Sequence, residues 1–128
     1  MIWFVALGGA LGSMARVALG TLVQERAGTF PLGTILVNVS GSFVLALVME
    51  YALATPAVSR EMRAFLTAGF CGGYTTFSTF SYETIRLAQD GDYRRAGLYL
   101  TLSVVGSIAA ALAGFALARE LLLWRRTV

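Results

Sequence analysis

The sequence predicts an all-α membrane protein with four bilayer-spanning helices, the third broken at its centre. Three observations predict it. Of the 128 residues, 57% are hydrophobic and only 13% are charged, and the mean hydropathy is +0.72; a soluble domain is about half apolar. Apolar runs recur four times, each with the roughly 20 residues a helix needs to cross the hydrocarbon. One of those runs carries Gly72-Gly73 and then Thr75-Thr76 at its middle, residue types that disfavour a helix interior. The expected organisation is a single four-helix transmembrane domain over residues 1–128.

The first run covers residues 2–23. It lacks the basic leading region of a signal peptide, and three further runs follow, so it is expected to remain as a span. Gly8, Gly12 and Gly20 recur in it at multiples of four, with Arg16 in the same series. The second run, 32–54, carries Gly33 and Gly41. It also carries Thr34, Asn38 and Ser42, one turn apart on one face. The third, 62–87, contains the glycine pair, then Phe77, Phe80 and Glu83. The fourth, 96–123, repeats Gly106, Ala110 and Gly114, and it places Tyr99, Ser103 and Ser107 at intervals of four, hence along one stripe. Small residues at such spacing let helices approach closely in lipid. The connections 24–31, 55–61 and 88–95 are short and polar.

Charge and composition exclude several function classes. All ten basic residues are arginine, and they punctuate apolar runs, whereas a nucleic-acid surface would gather them on one polar face. With one cysteine, Cys71, and no histidine, a disulfide framework, a cysteine-based zinc site and His-based chemistry are all absent. No enzyme is expected. Arg60, Arg63, Arg119, Arg125 and Arg126 fall on the side of both termini; Arg26, Arg86, Arg94 and Arg95 fall on the other. Orientation normally follows a clear excess of basic residues. Five against four leaves two readings open: insertion in both orientations, with opposite copies pairing, or one topology set by one or two arginines.

Polar groups inside the spans carry the functional signal, since hydrocarbon penalises them. A helix break at membrane depth is tolerated when it is buried in protein or lines a watery cavity. The break is thus a candidate ion or substrate site, or a glycine-rich packing kink. A single serine more often bonds its own helix backbone. Three hydroxyls in register, with Asn38 and a break nearby, favour a polar track. Its donors are hydroxyl, amide and guanidinium, a set that suits an anion. Phe77 and Phe80 share a helix face. They pack a core, or they present the electropositive ring edge to a small anion.

The run Gly72-Gly73-Tyr74-Thr75-Thr76-Phe77-Ser78-Thr79-Phe80, with Glu83 after it, resembles the Fluc (CrcB) fluoride channels. So do Gly8-Gly9 through Gly12 to Arg16, Gly33-Thr34, Val37-Asn38 and Gly41-Ser42-Phe43. The likeness covers essentially the whole chain. Tyr74 departs from it, standing where a non-polar residue is expected. The resemblance implies an antiparallel, dual-topology homodimer with two fluoride pores, in the cell (plasma or inner) membrane as a multi-pass protein. It implies passive export of cytoplasmic fluoride that protects against fluoride toxicity. By the same resemblance Phe77 and Phe80 line the pore and Asn38 is the pore amide. Tyr99, Ser103 and Ser107 form the polar track with Glu83 nearby, and Arg16 makes the vestibule electropositive. A structural sodium ion (Na+) at the dimer centre would be held by the carbonyls of Gly72 and Thr75 from each copy. The rival expectations are a small dual-topology multidrug/proton antiporter, which wants a carboxylate deep in a span, and a non-transporting assembly subunit.

Overall fold

The computed structural model describes residues 1–128, and it is helical almost throughout. Helix α1 spans Ile2–Ala27 and α2 spans Leu32–Ala54. The third run divides into α3 (Arg60–Ala64), a wider π-helical stretch π1 (Phe65–Cys71), a last turn α4 (Gly72–Tyr74) and, after a gap, α5 (Phe77–Gln89). Helix α6 spans Tyr93–Thr127. Three helices, α1, α2 and α6, are each long and apolar enough to cross a membrane; the bent third run makes the fourth.

Each end has a local cause. Gly28 and Gly91 take positive φ, 70° and 82°, and the chain reverses at each because only glycine adopts that backbone cheaply. Gln24 holds the first reversal: its Nε2 donates to the carbonyls of Gly28 and Phe30 at 2.8 and 2.9 Å, and its Oε1 accepts from the Gly33 amide at 3.2 Å. Ser59 caps α3 by accepting from the Met62 amide, and Asp92 caps α6 by accepting from the Arg95 amide; both bonds satisfy amides a helix start leaves free. Helix α2 matches its apolar run, whereas α1, the third run and α6 extend past theirs. At 35 residues and 1.5 Å per residue, α6 is about 52 Å long, so it projects beyond the bilayer core.

Packing is by glycine, as the spacing predicts. Helix α2 lies along α6, and α1 lies against π1, α4 and α2. A Cβ on Gly8 would strike the Phe65 carbonyl oxygen, and one on Gly12 the Phe70 carbonyl oxygen. A Cβ on Gly33 would meet the Gly20 carbonyl oxygen, and one on Gly114 that of Phe43. These close backbone approaches bring α1 onto π1, α1 onto α2, and α2 onto α6. The π-helical stretch has no counterpart in the sequence expectations. It lies where Gly69 and Gly8 are in mutual contact, and such single-turn widenings cluster at functional sites.

Candidate functional site: the broken third helix and its cleft

The glycine pair does not break the helix. Gly72 has φ −62° and ψ −37°, ordinary helical values. The chain leaves the helix three residues later, at Thr75 (φ −85°, ψ 157°) and Thr76 (φ −149°, ψ 111°). Gly73 is there for approach: a Cβ on it would lie 2.5 Å from the Gly9 carbonyl oxygen and 3.1 Å from Ser13 Oγ. The break is made by partners supplied from elsewhere. Asn38 Oδ1 accepts from the Thr76 amide at 2.7 Å, and Asn38 Nδ2 donates to the Thr76 carbonyl at 3.0 Å. Thr76 Oγ1 then caps α5 by accepting from the Thr79 amide at 3.2 Å.

These bonds sort the carbonyls at the break. A continuous helix would bring the Thr76 amide to the Gly72 carbonyl and the Thr79 amide to the Thr75 carbonyl. Both amides are diverted, the first to Asn38 and the second to Thr76 Oγ1. The Gly73 carbonyl receives Arg16 Nε at 3.1 Å and Ser13 Oγ at 3.5 Å, while the Thr76 carbonyl receives Asn38 Nδ2. Gly72 and Thr75 are therefore among the carbonyls at the break whose helical amide is taken away and which no side chain caps. Gly72 is exposed, and a Cβ on it would meet nothing nearer than a carbonyl at 3.8 Å.

Beside the break lies a cleft of about 310 Å³, lined by Asn38, Ser42, Phe77, Phe80, Ser103 and Ser107, with Thr75 and Thr76 at its side. One cavity thus gathers residues from α2, the break, α5 and α6. Phe80 is buried, its ring 5.6 Å from that of Phe77 and 5.4 Å from that of Tyr99. Phe77 is 78% exposed in the single chain. Tyr99 is fully buried at 0% exposure, behind the cleft and edge-on to Phe30 at 6.0 Å.

Two groups of hydroxyls contrast. Ser40, Ser42, Thr67, Thr75, Ser81, Thr84 and Thr101 donate to carbonyls in the preceding helical turn, the local bonding that a helical hydroxyl usually makes. Tyr99 Oη and Ser103 Oγ are buried and have no partner. An unpaired buried hydroxyl costs about 1–3 kcal/mol. Two on one stripe of α6, with Ser107 continuing it into the cleft, set that stripe apart from the other serines and threonines.

Arg16 and Glu83 lie outside this cleft. They line a second cavity of about 340 Å³ with Gln24, Thr34, Thr76 and Thr79. Glu83 Oε1 accepts from Thr34 Oγ1 at 2.6 Å. Thr76 lines both cavities, so they meet at the break. Sequence reasoning named Thr76 only as a β-branched helix breaker and gave no site role to it, Ser13 or Gln24. Thr76 had a legible signal, a threonine three residues before a second threonine at the start of a resumed helix. Ser13 acts on a backbone group 60 residues away and had none, whereas Gln24 binds the backbone of the turn that follows it. Tyr74, the departure from the family pattern, is buried, stacks on Phe70 at 5.8 Å and shares a hydrogen bond with Ser40 at 2.9 Å.

A family model described as "CrcB-like protein, Camphor Resistance (CrcB)" matches residues 3–115. The chain is 48% identical over 118 residues to the fluoride-specific ion channel FluC of Geobacter sulfurreducens, across 91% of this chain and 95% of the relative. It is 48% identical to the FluC of Anaeromyxobacter dehalogenans strain 2CP-1, across 91% and 94%. To the FluC of Prosthecochloris aestuarii it is 41% identical, across 92% of each chain.

Proposed function

The chain belongs to the CrcB-like family, and on that premise we propose that it is a fluoride-selective channel working as an antiparallel homodimer. It lets cytoplasmic fluoride leave passively and so protects the cell from fluoride toxicity. The relatives' names favour a channel over the antiporter reading. The observation that carries the mechanism is the pair of buried, unpartnered hydroxyls, Tyr99 Oη and Ser103 Oγ, on the stripe that reaches the cleft of Asn38, Phe77 and Phe80.

Fluoride holds its water tightly, so a pore must replace that water with donors already in place. Ser103 and Ser107 offer hydroxyls whose protons no helix carbonyl has claimed. Asn38 spends one amide hydrogen on the Thr76 carbonyl and keeps a second, since a carboxamide carries two. Phe77 and Phe80 frame the cleft with ring edges, which carry partial positive charge. Arg16, fixed on the Gly73 carbonyl, keeps its charge in the second cavity and draws anions to it. The exposed Phe77 ring supports a pore completed by a second copy.

The resemblance also implies sodium, and the residues present fit it. The Gly72 and Thr75 carbonyls are neutral, hard oxygen donors released from helix bonding, the donor type used at interrupted membrane helices. Gly72 and Thr75 of two copies would hold the ion. When bound, it supplies positive charge at the negative end of a half-helix. The deciding experiment is anion efflux from liposomes. Fluoride should leave far faster than chloride, with no nucleotide and no proton gradient. Equal rates for the two anions would sink the reading.

A further inference from the structure

Away from the cleft, where α2 and α6 end and the third run begins, the bundle carries an apolar groove of about 520 Å³. Leu47 and Val48 of α2, Leu66 of π1 and Leu121 of α6 form its walls. Tyr51, Trp124 and Arg125 stand at the same groove, in the last turns of α2 and α6. An aromatic pair with an arginine at helix ends marks the level of the lipid headgroups.

Arg125 is held there in an unusual way. Its Nη1 donates to Thr55 Oγ1 at 2.8 Å and to Tyr51 Oη at 3.2 Å, so its position is set by two neutral hydroxyls. Glu50 pairs with Arg119 at 3.6 Å, and neither Glu61 nor Glu120 forms a bridge to Arg125. The guanidinium is thus anchored, uncompensated, and retains donors on Nε and Nη2. Arg126 follows it.

We propose that this groove is a binding site for one anionic glycerophospholipid. An acyl chain lies along Leu47, Leu66 and Leu121, and the phosphate sits on the free edge of the Arg125 guanidinium. A membrane supplies acyl chains to any such groove, so apolar burial alone would not discriminate among lipids. The discrimination comes from charge: an anchored arginine at the headgroup level prefers an anionic lipid over a zwitterionic one, because its counter-charge is not provided by the protein. The proposal rests on the membrane location and not on fluoride conduction.

The test uses the full-length protein in detergent, stripped of lipid and reloaded with an equimolar mixture of phosphatidylglycerol and phosphatidylcholine bearing the same chains. Native mass spectrometry reads the lipid retained. The wild type should prefer phosphatidylglycerol about fivefold, the factor expected from one basic residue at a membrane surface. Arg125→Gln should bring the ratio close to one, and Arg125→Lys should keep most of it. Leu66→Trp, which fills the groove, should cut retention of both lipids at least severalfold. No headgroup preference in the wild type, or an undiminished one in Arg125→Gln, overturns the proposal. So does a Leu66→Trp variant that keeps its lipid but loses its dimer, since the groove would then be the seat of a second copy.

Discussion

At the scale of single residues, the two phenylalanines that look equivalent in the sequence are not equivalent in the structure. Phe80 is packed between Phe77 and Tyr99, while Phe77 is 78% exposed in one copy. Phe→Ile at either position removes a ring edge and should cut fluoride flux strongly. The stability cost should differ: up to about 1.5 kcal/mol for Phe80→Ile, as for a volume-conserving core swap, and close to none for Phe77→Ile. Flux assays beside thermal melting in detergent check both halves; unchanged flux with isoleucine at both positions would make the rings packing residues only. Asn38 has a structural duty the sequence did not reveal, because its partner lies 38 residues away. Asn38→Asp keeps an acceptor for the Thr76 amide but loses the donor and adds negative charge at the cleft. We expect a folded protein with fluoride flux down at least tenfold. Wild-type flux in that variant would mean the amide does not face the ion.

At the scale of elements, the break was legible and its position was not. Glycine pairs and β-branched pairs both weaken a helix, and the sequence holds them side by side. Asn38 decides between them by binding Thr76, while Gly73 stays helical against Gly9. The two glycines should accordingly respond differently to a methyl group. Gly73→Ala forces α4 off α1, and overpacking of that kind costs about 1–3 kcal/mol, read as a lower melting temperature. Gly72→Ala has room within one copy, so it should leave the fold intact and lower the dimer fraction if that face meets a partner. Equal effects of the two on both readouts would remove this distinction. The π-helical stretch left no trace in the periodicity, since the same apolar residues serve either winding.

At the scale of the whole molecule, two predictions concern assembly. The five-to-four division of arginines predicts C-terminal reporters on both sides of the membrane. Adding two or three arginines to one side should force a single orientation and lower activity, unless an oppositely oriented copy is co-expressed. A single native orientation would end the dual-topology proposal. Slow replacement of sodium by a large organic cation should reduce both flux and dimer fraction, and Gly72→Pro should do more harm than Thr75→Ala, because on the proposed reading the backbone and not the hydroxyl would hold the ion. An intact, fully conducting dimer after prolonged sodium removal would leave the break as a kink.

Properties that depend on spacing along one helix were determined by the sequence alone. Span number follows from the length of apolar runs, glycine packing faces from intervals of four, and the Tyr99–Ser103–Ser107 stripe from helical periodicity. The family could be read from the run around the break. Properties that depend on what a distant segment supplies were decided by tertiary structure. Asn38 moved the break to Thr75–Thr76, and Arg16 with Ser13 capped the Gly73 carbonyl, while those of Gly72 and Thr75 have no side-chain cap. Ser42 bonds its own helix while Ser103 does not, a difference invisible in residue type. The physical reason is that a backbone group or hydroxyl is committed or free according to the partner that reaches it, and helix packing sets which partner that is.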